Sequence, residues 1–212
     1  MKGKKYLAIE MFVLFVLIPL SLSIAIPFWL KATLLIMGII YAIFIMFRVE
    51  KGSFKIQKNL QWKPFWKRTL VLFIGISIVT TLYVYFMDAN NLFCVPLNRP
   101  KLWLIILLVY TFLSVWPQEI MYRTFFFTRY ERLFNNKKLL IFVNAIIFSM
   151  AHLFFKNTLV IVLTFIGGLL FGITYLKTKS TLLVSIEHAI YGNWLFTVGM
   201  GQMLAFPGME SC

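Results

Sequence analysis

Residues 139–176 read LLIFVNAIIFSMAHLFFKNTLVIVLTFIGGLLFGITYL, and Lys156 is the one charged side chain in the run. A helix needs roughly 20 mostly apolar residues to cross the hydrocarbon core of a bilayer. The run therefore holds two crossings, Leu139–Phe155 and Thr158–Leu176, with Lys156 and Asn157 in the turn between them. A helix on the surface of a soluble domain carries a charged face opposite its apolar one. Neither of these segments has such a face.

The same character extends in both directions. Further apolar segments cover Tyr6–Leu30, with Pro19 and Pro27 as kinks, then Ala32–Phe47, Thr69–Met87, Leu102 past Pro117 to Arg132, and Thr181–Gly201. The whole chain of 212 residues is 61% hydrophobic and 13% charged. An average soluble domain is about half apolar and about a quarter charged, and a chain of this size cannot hide so much apolar surface in water. A soluble globular domain, a disordered chain and a coiled coil are excluded. The fold expected is an all-α polytopic membrane bundle of seven spans, multi-pass and integral to the membrane. Residues 1–100 would supply three accessory spans with a basic loop at 48–68, residues 101–206 a core of four spans, and 207–212 a short tail. The start MKGKK is not taken as a signal peptide, because the apolar run behind it is too long and further spans follow.

The formal net charge is +14, from 21 Lys and Arg against 7 Asp and Glu. With the N-terminus inside, sixteen of the basic residues fall on the inner side. Lys31, Arg99, Lys101 and Lys156 fall outside, and Arg123 lies within a span. That asymmetry follows the positive-inside rule, gives N-in and C-out, and accounts for the charge without nucleic acid. The inner loop Arg48–Arg68 interleaves its basic residues with Phe54, Trp62, Phe65 and Trp66. This is the composition of an interfacial segment, and anionic lipid is a candidate partner there. Gly168 and Gly172 form a G-x-x-x-G pair, read as close helix packing. The two cysteines, Cys94 and Cys212, form no C-x-x-C pair.

Charge in a bilayer is costly, and by default it marks function. Three of the seven acids fall within spans, Glu10, Glu119 and Glu187, and so do both histidines, His152 and His188, and Arg123. Glu10 sits in the first turns of its span, within reach of the interface. Glu119 and Arg123 are four residues apart, differ by roughly 40° in azimuth and can pair. That pair reads equally well as a structural brace or as a carboxylate held by its own arginine. Asn144, Phe148 and His152 share one helix face. At 1.5 Å per residue, Glu119, His152 and His188 lie about 15, 21 and 13 Å from their inner helix ends. A carboxylate can activate water, and histidines can donate protons or stabilise an oxyanion. Two His and one Glu would also suit Zn²⁺, although the H-E-x-x-H spacing is missing.

At these residues the sequence resembles the CPBP family, the CAAX prenyl endopeptidase and bacteriocin-processing intramembrane proteases. The family pattern is E-E-x-x-x-R, then F-x-x-x-H, then H-x-x-x-N or D, on successive core helices. Here QEIMYR spans Gln118–Arg123, FSMAH spans Phe148–His152 and HAIYGN spans His188–Asn193. The resemblance covers about Lys101–Phe206. It implies a helical membrane bundle with an internal cavity that cleaves a peptide bond of a membrane-associated or lipidated substrate. A glutamate activates water, histidine and asparagine stabilise the oxyanion, and no metal or other cofactor is needed. Glu119, His152 and His188 would be catalytic and Gln118, Arg123, Phe148 and Asn193 supporting. A bacterial plasma membrane is the expected location.

Two departures stand out. Gln118 occupies the place of the family's water-activating glutamate, and glutamine takes no proton near neutral pH. Either Glu119 or Glu187 replaces it, or the chain is not a protease. The fourth residue after His188 is Gly192, and Asn193 comes fifth, turned by roughly 100° from the family's direction. Asn144 and Tyr191 are candidate substitutes. Two other readings accompany the peptidase: a binding or chaperone-like module that kept the bundle and lost the base, and a small proton-coupled transporter. The transporter finds no support in an inverted repeat.

Overall fold

The computed structural model describes residues 3–50 and 60–204, and among them every regular element is helical. The long helices are α1 (Lys4–Ser23), α2 (Phe28–Arg48), α3 (Trp62–Met87), α4 (Pro100–Leu133), α5 (Lys137–Met150), α6 (Thr158–Thr178) and α7 (Thr181–Val198). By length and composition, α1 to α6 can each cross a membrane, α5 together with the turn that follows it to Phe155. The seventh expected span is also a helix, but α7 is not among those six. Glu187, His188 and Asn193 dilute its apolar character. The chain is an integral, multi-pass membrane protein. Much of the apolar surface is exposed, for example Val71, Ile74, Ile78 and Val79 along α3, as a lipid-facing surface requires. Residues 51–59 of the basic loop and the tail 207–212 lie outside the described residues.

The first segment differs from the single kinked span expected over Tyr6–Leu30. Its helix stops at Ser23, Ile24 is extended (φ −91°, ψ 162°), and Pro27 caps the start of α2. The last carbonyls of a helix need partners, and here side chains provide them. Ser21 and Ser23 donate to the carbonyls of Ile18 and Leu20 at 2.6 and 2.8 Å, and Lys31 Nζ donates to that of Leu22 at 2.8 Å. Pro19 stays inside the helix. It lacks an N–H for the α-ladder, and a π-turn at Val13–Leu17 lies just before it. Pro117 in α4 is likewise preceded by a π-turn, Tyr110–Val115.

The chain forms two compact units, each drawn from two stretches, residues 1–57 with 118–181 and residues 58–117 with 182–212. In the first, Phe15 of α1 is fully buried and packs on Tyr122, Phe125, Phe126 and Tyr130 of α4, with ring centroids 5.3–6.1 Å apart. Helices α5 and α6 are joined by a tight turn. Asn136 and Asn157 cap their N-termini by accepting from the amides of Lys138 and Val160. The Gly168 and Gly172 pair is the contact face between these two helices. A Cβ on Gly168 would stand 2.8 Å from Ala145 Cα, and one on Gly172 3.2 Å from Ile141 Cγ2. In the second unit, Val95, Ile106 and Phe196 form a buried cluster with Trp103 and Leu107 against it.

Gly168→Ala is therefore expected to destabilise the protein by about 1–3 kcal/mol, the usual cost of overpacking. Gly75→Ala in α3, where a Cβ meets nothing within 4 Å, should be neutral or slightly stabilising. Unfolding in detergent followed by circular dichroism compares the two.

Candidate active site

In the first unit, residues of the first two motifs form one connected group. Glu119 and Arg123 are both fully buried, with Arg123 Nε 3.4 Å from Glu119 Oε2. The Arg123 guanidinium lies over the Phe148 ring, 4.6 Å from its centroid, and 5.6 Å from that of Phe171. Phe148 stands edge-on to His152 at 4.9 Å, and His152 Nδ1 is 2.8 Å from the Phe148 carbonyl oxygen. A carbonyl only accepts, so Nδ1 carries a proton and donates it here. Gln118 is half-buried beside Glu119.

A π-turn, Ile120–Phe125, follows Glu119 and carries Arg123. Such turns disturb the regular ladder of carbonyls and cluster at functional sites. Asn144, buried on α5, donates to the Tyr122 carbonyl within this turn at 2.8 Å. It thus ties the helix of the second motif to the turn of the first.

In the second unit, His188 is buried on α7 and its Nε2 lies 3.1 Å from the Tyr110 hydroxyl. Asn193 Nδ2 donates to Thr111 Oγ1 at 2.9 Å. At Gly192 a Cβ would fall onto the Tyr110 hydroxyl and ring. Glu187 is fully buried and pairs with Arg68 at 3.0 Å. The Tyr191 hydroxyl is 3.1 Å from Glu187 Oε1 and 3.2 Å from the Thr69 carbonyl, and its single proton serves one at a time. Among the described residues no group of three His, Cys, Asp or Glu side chains could hold a metal ion.

Sequence reasoning missed several partners. Tyr110 and Thr111 sit in an apolar run with no ionisable signal. Arg68, counted among the loop charges, reaches a buried carboxylate. Glu10 does not turn to the interface. It is buried and accepts from Arg129 Nε and Nη2 at 2.8 and 2.9 Å, from Tyr130 at 3.0 Å and from Tyr41 at 2.9 Å. Arg129, counted among the inner-side charges at the end of its span, is itself buried and forks across Glu10 and Glu50. A carboxylate deep in an apolar environment needs a paired cation, and no Lys or Arg stands three or four residues from Glu10. That was the available signal.

Residues 100–195 match the family model for Rce1-like, type II CAAX prenyl endopeptidases. Over this segment the chain is similar to the Rce1-like CAAX proteases. The Rce1-like segment runs from the start of α4 into α7 and contains all three motifs, Gln118–Arg123, Phe148–His152 and His188–Asn193. No curated protein and no solved structure matches the chain.

Proposed function

We propose that the protein is an intramembrane endopeptidase that hydrolyses a peptide bond of a membrane-associated substrate, with Glu119 as the group that activates water. The observation carrying this reading is the contact series Glu119, Arg123, Phe148 and His152, held in one unit inside the Rce1-like segment. Arg123 orients the carboxylate, and Phe148 sets both the guanidinium and the imidazole. In the reaction, water adds to the peptide carbonyl and gives its proton to Glu119. The tetrahedral intermediate then collapses, the C–N bond breaks, and the amine leaves with a proton relayed by histidine. His152 and His188 act as proton donors or oxyanion stabilisers. Gln118 and Asn193 have supporting roles in the same proposal. The substrate is a peptide or a lipidated protein in the membrane. Anionic lipid at the basic loop and a bacterial plasma membrane belong to the same proposal, and no cofactor is required by it.

A second reading, a binding module without turnover, is favoured by one observation. The family's base position is Gln118, and the remaining carboxylate is fully buried against its arginine. To distinguish them, the wild-type protein in membranes is incubated with a panel of lipidated and transmembrane peptides, read by mass spectrometry. A discrete cleavage product is the expected result. Tight binding of a panel member without cleavage would favour the second reading.

A further inference from the structure

We infer that Asn144 is a positioning residue of the first motif: by donating to the Tyr122 carbonyl it holds the π-turn Ile120–Phe125 in place, and with it the setting of Arg123 against Glu119. The inference rests on the endopeptidase reading above.

Every group involved belongs to the first unit, on α4 from Gln118 onward and on α5. In a regular α-helix each N–H donates to the carbonyl four residues back, so Phe126 N–H would take that of Tyr122. Here it donates to the carbonyls of Met121 and Arg123 and passes over Tyr122. The Tyr122 carbonyl accepts instead from Asn144 Nδ2 at 2.8 Å. Asn144 is fully buried. Its Oδ1 is buried too and takes no hydrogen bond among the described residues. Among them, the bond to Tyr122 is what gives an amide its use at this position. An apolar side chain of the same size would serve packing alone.

Glu119 immediately precedes the π-turn, and Arg123 lies within it. The wider closure changes the angle between them from the roughly 40° of a regular helix. In this winding Arg123 Nε stands 3.4 Å from Glu119 Oε2, and the guanidinium lies over the Phe148 ring. Phe148 is one turn beyond Asn144 on the same face of α5. One hydrogen bond therefore sets both sides of the contact, the winding of α4 that presents Arg123 and the height of α5 that presents Phe148. Without the Asn144 donor, the Tyr122 carbonyl regains a partner when Phe126 N–H returns to it. The turn then closes to the α form, and Arg123 swings relative to Glu119 and Phe148. A misplacement of about 1 Å can lower a rate by about 10²-fold.

The test uses the full-length protein in membranes with a peptide that the wild type cleaves. Both kcat and KM are measured per folded molecule, below the unfolding temperature of each variant. Asn144→Leu keeps the volume and removes the donor. It is expected to lower kcat by about 10–10²-fold with KM changed less than about threefold. Should Asn144→Leu not fold, Asn144→Ala takes its place with the same expected fall. Asn144→Gln keeps a carboxamide that can reach the same carbonyl, and is expected to regain at least about threefold in kcat over the variant without a donor. An unchanged kcat without the donor, a change confined to KM, or a Gln variant no faster than the one without a donor overturns the inference and leaves the endopeptidase reading standing. Silence of the wild type toward every peptide overturns that reading, and the inference with it.

Discussion

Glu119→Gln is expected to lower the rate of peptide cleavage by about 10²–10⁴-fold, the usual contribution of a positioned general base. The substitution is nearly isosteric and leaves an oxygen that can accept from Arg123, but it removes the group that takes the proton from water. It also removes the carboxylate that stands 3.4 Å from the buried Arg123. Removing one member of a buried pair costs about 3–5 kcal/mol, so folding and turnover must be measured separately. The double variant Glu119→Gln with Arg123→Met removes both charges and relieves that penalty. It is expected to unfold near the wild-type temperature and still not cleave. Cleavage surviving in a folded Glu119→Gln protein would show that the carboxylate is a brace, and attention would turn to Glu187. Gln118→Glu probes the same point from the other side. A gain of activity over a silent wild type would mean that the fold is competent and that this chain lacks only the base. A wild type that cleaves, with Gln118→Glu changing the rate little, would mean that the carboxylate has moved one residue along α4.

The all-helical, membrane-spanning nature of the chain was legible because hydropathy decides what a bilayer accepts, whereas seven spans were expected and six helices are long and apolar enough to cross. The end of α1 was not. Pro19 and Pro27 look alike in sequence, yet one sits inside a helix behind a π-turn and the other caps the next helix. The difference lies in the Ser21, Ser23 and Lys31 caps, whose role depends on the three-dimensional path of the chain. The pairing of Glu119 with Arg123 was legible because both lie on one helix, where the azimuth is simple arithmetic. Tyr110 was not, since nothing distinguishes one tyrosine in an apolar run from another until Gly192 is seen beneath it. The apparent misplacement of Asn193 assumed that its partner would be the family's, and Thr111 provides a different one. Arg68 and Arg129 were assigned by position along the chain, which carries no information about where a long side chain reaches.

Arg129→Met is expected to destabilise the protein by about 3–5 kcal/mol, the cost of orphaning a buried charge. Arg129 donates Nε and Nη2 to the two oxygens of Glu10 on α1 and Nη1 to Glu50 just beyond α2, the last at 2.7 Å. Tyr41 of α2 and Tyr130 of α4 complete the shell of Glu10. Three helices of one unit thus converge on a single carboxylate, and a bidentate arginine fork is the strongest form such a contact takes. Arg129→Lys keeps the charge and loses the fork, so it should recover only part of the stability. Glu10→Gln combined with Arg129→Met removes both charges and should restore most of it, because the two effects act through one contact and do not add. Thermal unfolding in detergent, with proteolysis as a second readout, gives the four values. Equal unfolding temperatures for Arg129→Met and wild type would mean that α1 and α2 are held by apolar packing alone. Since this network lies among residues that the family match mostly leaves out, a large effect would instead mean that the first two helices are bound to the Rce1-like segment by a charge device of this chain's own. A fall in stability with kcat unchanged at low temperature would separate that bracing role from any part in the chemistry.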